Sequence, residues 1–134
     1  MSPHQFRTRV YYEDTDLAGI VYYANYLKFI ERGRTEWVES LGVDQVALKA
    51  AQGIVFAVRR VEADYLRPAK FADELVVETK LQALGGARIV LEQVVLRGGE
   101  RLFAAVVTLV CLGEDGHAAR LPPEVRARLS GPVH

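Results

Sequence analysis

The chain has 134 residues, half of them hydrophobic and a quarter charged, the make-up of a single folded domain with one core; such a composition excludes a disordered chain. Lysine plus arginine and aspartate plus glutamate both number 17, so the formal charge is zero and the broad basic field that draws proteins to nucleic acid is absent. The N-terminal stretch is polar, no apolar run reaches the ~18 residues of a membrane span, and the lone Cys111 can form no internal disulfide; a cytoplasmic protein without membrane insertion is expected.

In chain order, Phe6 to Tyr12 alternates and is rich in aromatic and β-branched residues, which predicts a short strand ending at the acidic loop "EDTDLAG". From Tyr22 the period changes to 3.6. Tyr23, Tyr26, Leu27, Ile30, Gly33, Trp37, Val38 and Leu41 fall on one arc, predicting a helix that ends near Gly42 and runs for about twenty residues, or roughly 30 Å. Arg32 and Glu36 share its opposite, solvated face at pairing distance. Arg34 falls inside the apolar arc, where a guanidinium needs a partner, and Glu31 three residues earlier is the obvious one.

A second short helix is predicted over Asp44 to Gln52. Four β segments follow: a long one that ends by Pro68, two more divided by Gly85 and Gly86, and "RLFAAVVTLVCLG" after a Gly98-Gly99 turn. These are antiparallel meander signals. The last segment is apolar on both sides, which calls for cover on both faces. "PPEVRARL" predicts a brief terminal helix followed by a frayed tail. The fold class is therefore α+β, with one antiparallel sheet of about five strands around one long helix, and so apolar a sheet invites a second copy.

The acidic loop carries the chemistry. The three histidines, His4, His117 and His134, have no zinc-like spacing, Cys111 has no histidine partner evident, and no glycine-rich phosphate loop is present. What remains is a carboxylate beside the first turn of a helix, whose free N–H groups suit an oxyanion on a carbonyl carbon. Such a carboxylate can attack an ester or thioester or activate a water that does. Asp14 and Asp16 serve equally well as turn or cap residues, and the pattern alone leaves both readings open.

The run Arg9-Val10, Thr15-Asp16, Gly19-Ile20-Val21 and Ala24-Asn25-Tyr26 resembles the signature of the 4-hydroxybenzoyl-CoA thioesterase family of hotdog-fold enzymes, and "YLKFIERGRTEW" resembles its bacterial Tol-Pal-associated branch. The similarity runs over nearly all of residues 1–134, taken as one domain. It implies an acyl-CoA thioesterase with no metal or redox cofactor, in which Asp16 is the catalytic carboxylate and the backbone N–H of Tyr23 polarises the thioester carbonyl. Gly19 would admit the substrate closely; from their places near the helix start, Tyr22, Tyr23, Tyr26 and Phe29 are candidates either to line an aromatic pocket or to join the core. Glu31 and Arg34 match a Glu-Arg spacing of the branch and are supporting candidates. Many members of that branch carry histidine where Tyr23 stands. Arg59, Arg60, Arg67, Lys70 and Arg88, the last beside a glycine turn, are candidate cations for the phosphates of coenzyme A. The resemblance also implies a homodimer or tetramer with active sites between protomers. Acyl groups on acyl carrier protein, or binding of acyl thioesters without turnover, are the alternative roles.

Overall fold

The computed structural model describes residues 3–131; His134 and the end of the expected tail fall outside them. Strand β1 (His4–Arg9) is followed by a single 3-10 turn at Tyr12–Asp14, then the long helix α1 (Asn25–Ser40) and α2 (Gln45–Gln52). The strands β2 (Val55–Tyr65), β3 (Glu74–Leu84), β4 (Arg88–Arg97) and β5 (Glu100–Leu112) come next, and α3 (Pro123–Leu129) closes the order. One five-stranded antiparallel sheet results, with spatial order β1-β3-β4-β5-β2. The expected meander holds for β3 to β5. Strand β2, however, pairs with β5, so the chain crosses the whole sheet before β3 begins, and β1 and β2 form its two edges.

Helix α1 lies against β1, β3 and β4. It buries Tyr26, Phe29, Ile30, Gly33, Trp37 and Val38, an arc rotated from the expected one: Phe29 is fully buried, whereas Leu27 and Tyr23 are exposed. Close approach at its centre depends on Gly33, where a Cβ would stand 2.6 Å from Cγ1 of Val77 on β3. The helix also begins three residues later than its periodicity predicts. Tyr22 N–H donates to the Asp14 carbonyl (2.9 Å), and Asn25 donates to the same oxygen through Nδ2 (2.9 Å), which holds Tyr22 to Ala24 in a turn. Helix α2 begins as expected, with Asp44 as its cap accepting from Ala47 N–H at 3.0 Å.

Core positions follow the strand period. Along β4 the inward phase reads Ile89, Leu91, Gln93, Val95, and along β3 it reads Leu75, Val77, Thr79. Gln93 and Thr79, directly opposite each other, are buried polar residues in an apolar layer. Gln93 satisfies its amide by donating to the Ile30 carbonyl of α1 (2.8 Å) and to Thr79 Oγ1 (2.9 Å). On β5 the helix-facing residues from Phe103 to Cys111 are buried, while the outward residues from Ala104 to Leu112 are only half-buried within one chain. Cys111 has no solvent exposure and burial raises its thiol, as befits a small core residue.

Candidate active site

The acidic loop is a tight hairpin clipped to the start of α1. Asp16 N–H donates to the Ile20 carbonyl (2.9 Å), Thr15 bridges Val21, and Tyr22 N–H donates to the Asp14 carbonyl. Of the three acids, Asp14 turns inward: it is 7% exposed and its carboxylate accepts from Tyr11 N–H at 2.9 Å. Glu13 and Asp16 are exposed. Asp16 Oδ1 accepts from Ala18 N–H at 2.9 Å, which orients the carboxylate at the loop tip. Gly19, at φ 81°, supplies the left-handed residue that closes this turn; a Cβ there would meet nothing within 4 Å, so the backbone and not space demands glycine.

The other side of the loop rests on the segment between β2 and β3. Val21 N–H donates to the Ala69 carbonyl (2.9 Å) and Ile20 bridges Lys70. Ala69 N–H in turn donates to the buried Tyr26 hydroxyl at 3.0 Å, so an α1 side chain anchors the strip that carries the loop. Arg97 stiffens the same strip, donating to Asp73 (2.7 Å), to the Pro68 carbonyl (3.2 Å) and to Glu100 (2.8 Å). Burial pushes the Asp73 carboxyl up, but hydrogen bonds from Arg97 and from Lys70 N–H outweigh it and leave the carboxyl below its ordinary range.

Beside the loop lies a cavity of about 310 Å³ lined by Ile20, Val21, Tyr23, Tyr26, Tyr65 and Arg67, among others. Its aromatic wall is ordered: Tyr26 stacks on Phe103 (5.0 Å), and Tyr65 meets both Tyr26 and Tyr23 edge-on. The Tyr65 hydroxyl donates to the Tyr23 carbonyl (2.9 Å), fixing that peptide. The N–H groups of Tyr23 and Ala24 find no acceptor among the described residues, and they stand at the N-terminal end of α1. Tyr23, named from the resemblance, lies just before the helix rather than in its first turn, and its N–H is unengaged among the described residues. The four tyrosines and phenylalanines near the helix start divide: Tyr26 and Phe29 are core, whereas Tyr22 (45% exposed) and Tyr23 (61%) border the site.

The remaining candidates do not all gather here. Arg88 begins β4, at the end of the sheet opposite Arg97 and the acidic loop, so it stands about 30 Å away along the strand within one chain. Arg60 pairs with Glu62 (2.8 Å) and Arg67 with Glu100 (3.1 Å), and only Arg67 and Lys70 of the cation set border the loop. Glu31 and Arg34 form no ion pair, because the Glu31 carboxylate accepts from Thr35 Oγ1 at 2.6 Å and Arg34 extends toward β4, reaching Gln93 Oε1 at a long 3.5 Å. Arg32 and Glu36, both exposed, likewise form no ion pair among the described residues. Burial lowers the proton affinity of the Arg34 guanidinium while the nearby Glu31 raises it. Among the described residues no three His, Cys, Asp or Glu side chains come together as a metal site would require. Sequence reasoning missed Gln93, Thr79 and Tyr65. The first two were visible as polar residues on an apolar strand phase, but nothing local marked Tyr65.

A single antiparallel sheet around one long helix, with an exposed carboxylate clipped beside free N–H groups at the helix start, defines a hotdog-fold domain of the thioesterase class. The sequence pattern of the Thioesterase-like superfamily matches residues 10–129, and the chain belongs to that family. It is 43% identical over 124 residues to the acyl-CoA thioesterase YbgC of Haemophilus influenzae, covering 91% of this chain and 90% of that protein. Among solved structures, a probable thioesterase from Bartonella henselae matches with a TM-score of 0.86 at 38% identity, over 90% of this chain and all of the other. A Thermus thermophilus thioesterase complexed with coenzyme A and zinc matches with a TM-score of 0.83 at 31% identity, over 96% and 98% of the two chains.

Proposed function

We propose that this chain is an acyl-CoA thioesterase that hydrolyses an acyl-CoA thioester to a free acid and coenzyme A. The observation that carries the reading is the exposed Asp16 carboxylate, fixed by Ala18 N–H, in the same loop clip as the unengaged Tyr23 N–H. The thioester carbonyl oxygen accepts from Tyr23 N–H, which stabilises the negative charge that develops there. Asp16 attacks the carbonyl carbon, or takes a proton from a water that does, and the carbon–sulfur bond breaks as coenzyme A leaves. Either route consumes one water and needs no metal or redox cofactor. Tyr23 in place of the branch's histidine fits a mechanism that uses the backbone at this position.

The acyl group lies along the Tyr23, Tyr65 and Tyr26 wall, with Gly19 and Tyr22 at the mouth, and Arg67 and Lys70 stand where the nucleotide phosphates pass. The protein works in the cytoplasm as a homodimer or tetramer; no helix among the described residues is long and apolar enough to cross a membrane. The test is thiol release from short, long and aromatic acyl-CoA esters by wild type and Asp16→Asn. Wild type turns over at least one ester and the amide variant loses about 10²-fold or more. Equal rates for the two proteins would remove Asp16 from the chemistry.

A further inference from the structure

Tyr65 ends β2, in register with Phe103 of β5. Three aromatic neighbours meet its ring edge-on, Phe103 at 5.1 Å, Tyr26 at 5.6 Å and Tyr23 at 6.1 Å, so the hydroxyl is aimed although the side chain is half exposed. Burial first, and the neighbouring Tyr23 second, raise that hydroxyl above the ordinary tyrosine range, which keeps it a proton donor. It donates to the Tyr23 carbonyl at 2.9 Å.

In a regular helix the Tyr23 carbonyl would accept from the N–H four residues on, that of Leu27. Leu27 donates to the Ala24 carbonyl instead (3.1 Å), so among the described residues the Tyr65 hydroxyl is the one partner the Tyr23 carbonyl has. The peptide before it is arranged alike: the Tyr22 carbonyl accepts from Asn25 N–H (2.8 Å), and the N–H at its other end, that of Tyr23, is unengaged. Two successive peptides therefore have tied carbonyls and free N–H groups. The backbone of the turn ties the first, and a side chain from another strand ties the second.

A planar trans peptide points its C=O and N–H in opposite directions, so whatever fixes the Tyr23 carbonyl also aims the Ala24 N–H. The same bond polarises the peptide, because linked hydrogen bonds strengthen one another by about 10–30% each. Successive free N–H groups at a helix start can share one negatively charged oxygen. Without the hydroxyl, the peptide between Tyr23 and Ala24 has no hydrogen bond at either end among the described residues.

We propose, building on the thioesterase reading above, that the Ala24 N–H joins that of Tyr23 in holding the thioester carbonyl oxygen, and that Tyr65 is the positioning residue that aims and polarises it through the Tyr23 carbonyl. The ring of Tyr65 walls the cavity, whereas its hydroxyl acts on the chemistry through the peptide. Negative charge on the oxygen grows toward the transition state, so the hydroxyl's contribution falls on kcat rather than on KM.

Tyr65→Phe keeps the ring and removes only the hydroxyl. On the ester that wild type hydrolyses fastest, kcat falls about tenfold and KM stays within about twofold; the loss is smaller than for a deleted donor because the N–H is still present but no longer aimed. Infrared difference spectra read the carbonyl itself, which a mere loss of stability would not move. With the same ester labelled at its carbonyl carbon and bound to Asp16→Asn, the C=O stretch moves to lower frequency, and it moves less once Tyr65→Phe is added. A kcat within about twofold of wild type, a loss confined to KM, or an equal carbonyl frequency with and without the hydroxyl would overturn the proposal. If Tyr65→Phe does not fold, a ring-fluorinated tyrosine at this position, a stronger donor, should raise kcat and enlarge the frequency change; no change in either is equally fatal. The Ala24 amide resonance in the free protein needs no substrate: it shifts on Tyr65→Phe, and an unmoved resonance refutes the polarised peptide. A wild type inert toward every ester refutes the thioesterase reading and the role given to Ala24 N–H, and leaves the hold of Tyr65 on the peptide to that resonance.

Discussion

Replacing Gly33 by alanine tests how tightly α1 sits on the sheet. The added Cβ would lie 2.6 Å from Val77 Cγ1 and 3.1 Å from Val77 Cβ, about 1 Å inside ordinary carbon contact. Val77 has no solvent exposure and is β-branched, so it has little freedom to turn aside, and the overpacking cost falls at the upper end of the usual range, about 3 kcal/mol. Alanine's better helix propensity offsets about 1 kcal/mol of that. The net loss is about 2 kcal/mol. With 134 residues at about 2.1 cal/mol/K each, the unfolding entropy is about 0.28 kcal/mol/K, so the melting temperature drops by about 7 °C. Thermal melts by circular dichroism measure this, and Val77→Ala provides the control: the double variant should be about 2 kcal/mol more stable than the two separate losses predict. A Gly33→Ala protein melting at or above wild type, or a double variant with no coupling, would refute the contact.

Other outcomes follow from the anchoring of the acidic loop. Tyr26→Phe leaves the buried Ala69 N–H without its acceptor; urea unfolding should show a loss of about 1–3 kcal/mol, accompanied by lower kcat/KM because Ala69 and Lys70 hold Val21 and Ile20. Asp73 has a folded-state pKa below its unfolded value, so it adds stability above the unfolded pKa of about 3.9 that is lost as the pH falls through the folded one. Asp73→Asn should therefore be less stable than wild type at pH 7, with the gap closing below about pH 4 in denaturant titrations. A gap that persists unchanged into acid would contradict the assignment.

Strand and helix types were legible because each segment repeats its period over many residues, and the acidic loop was legible because its residues also match a long, spaced signature. Boundaries and pairings were less so. Tyr22 to Ala24 continue the apolar rhythm of α1, yet two hydrogen bonds to the Asp14 carbonyl, eight and eleven residues back, hold them out of the helix. Glu31 and Arg34 have the spacing of an ion pair, but a hydroxyl one turn along took the carboxylate and an amide across the core drew the guanidinium. Arg88 illustrates the same limit, for its glycine turn indicates exposure but not which end of a sheet the turn occupies. Sequence spacing reports who can meet along one element; only the register of different elements decides who does.

Asp14 sets the terms for everything beside it. Its carboxylate holds the chain before the loop, and its carbonyl holds the chain after it, so the two ends of the hairpin are tied to one residue. The neighbouring Asp16 is therefore held by the fold itself, and on the function proposed above little ordering is left for the binding step. The wall opposite, made of Tyr23 and Tyr65 side chains, holds no part of that tie except one hydroxyl. Substitutions along the wall can therefore reshape the cavity beside the loop while the carboxylate stays put.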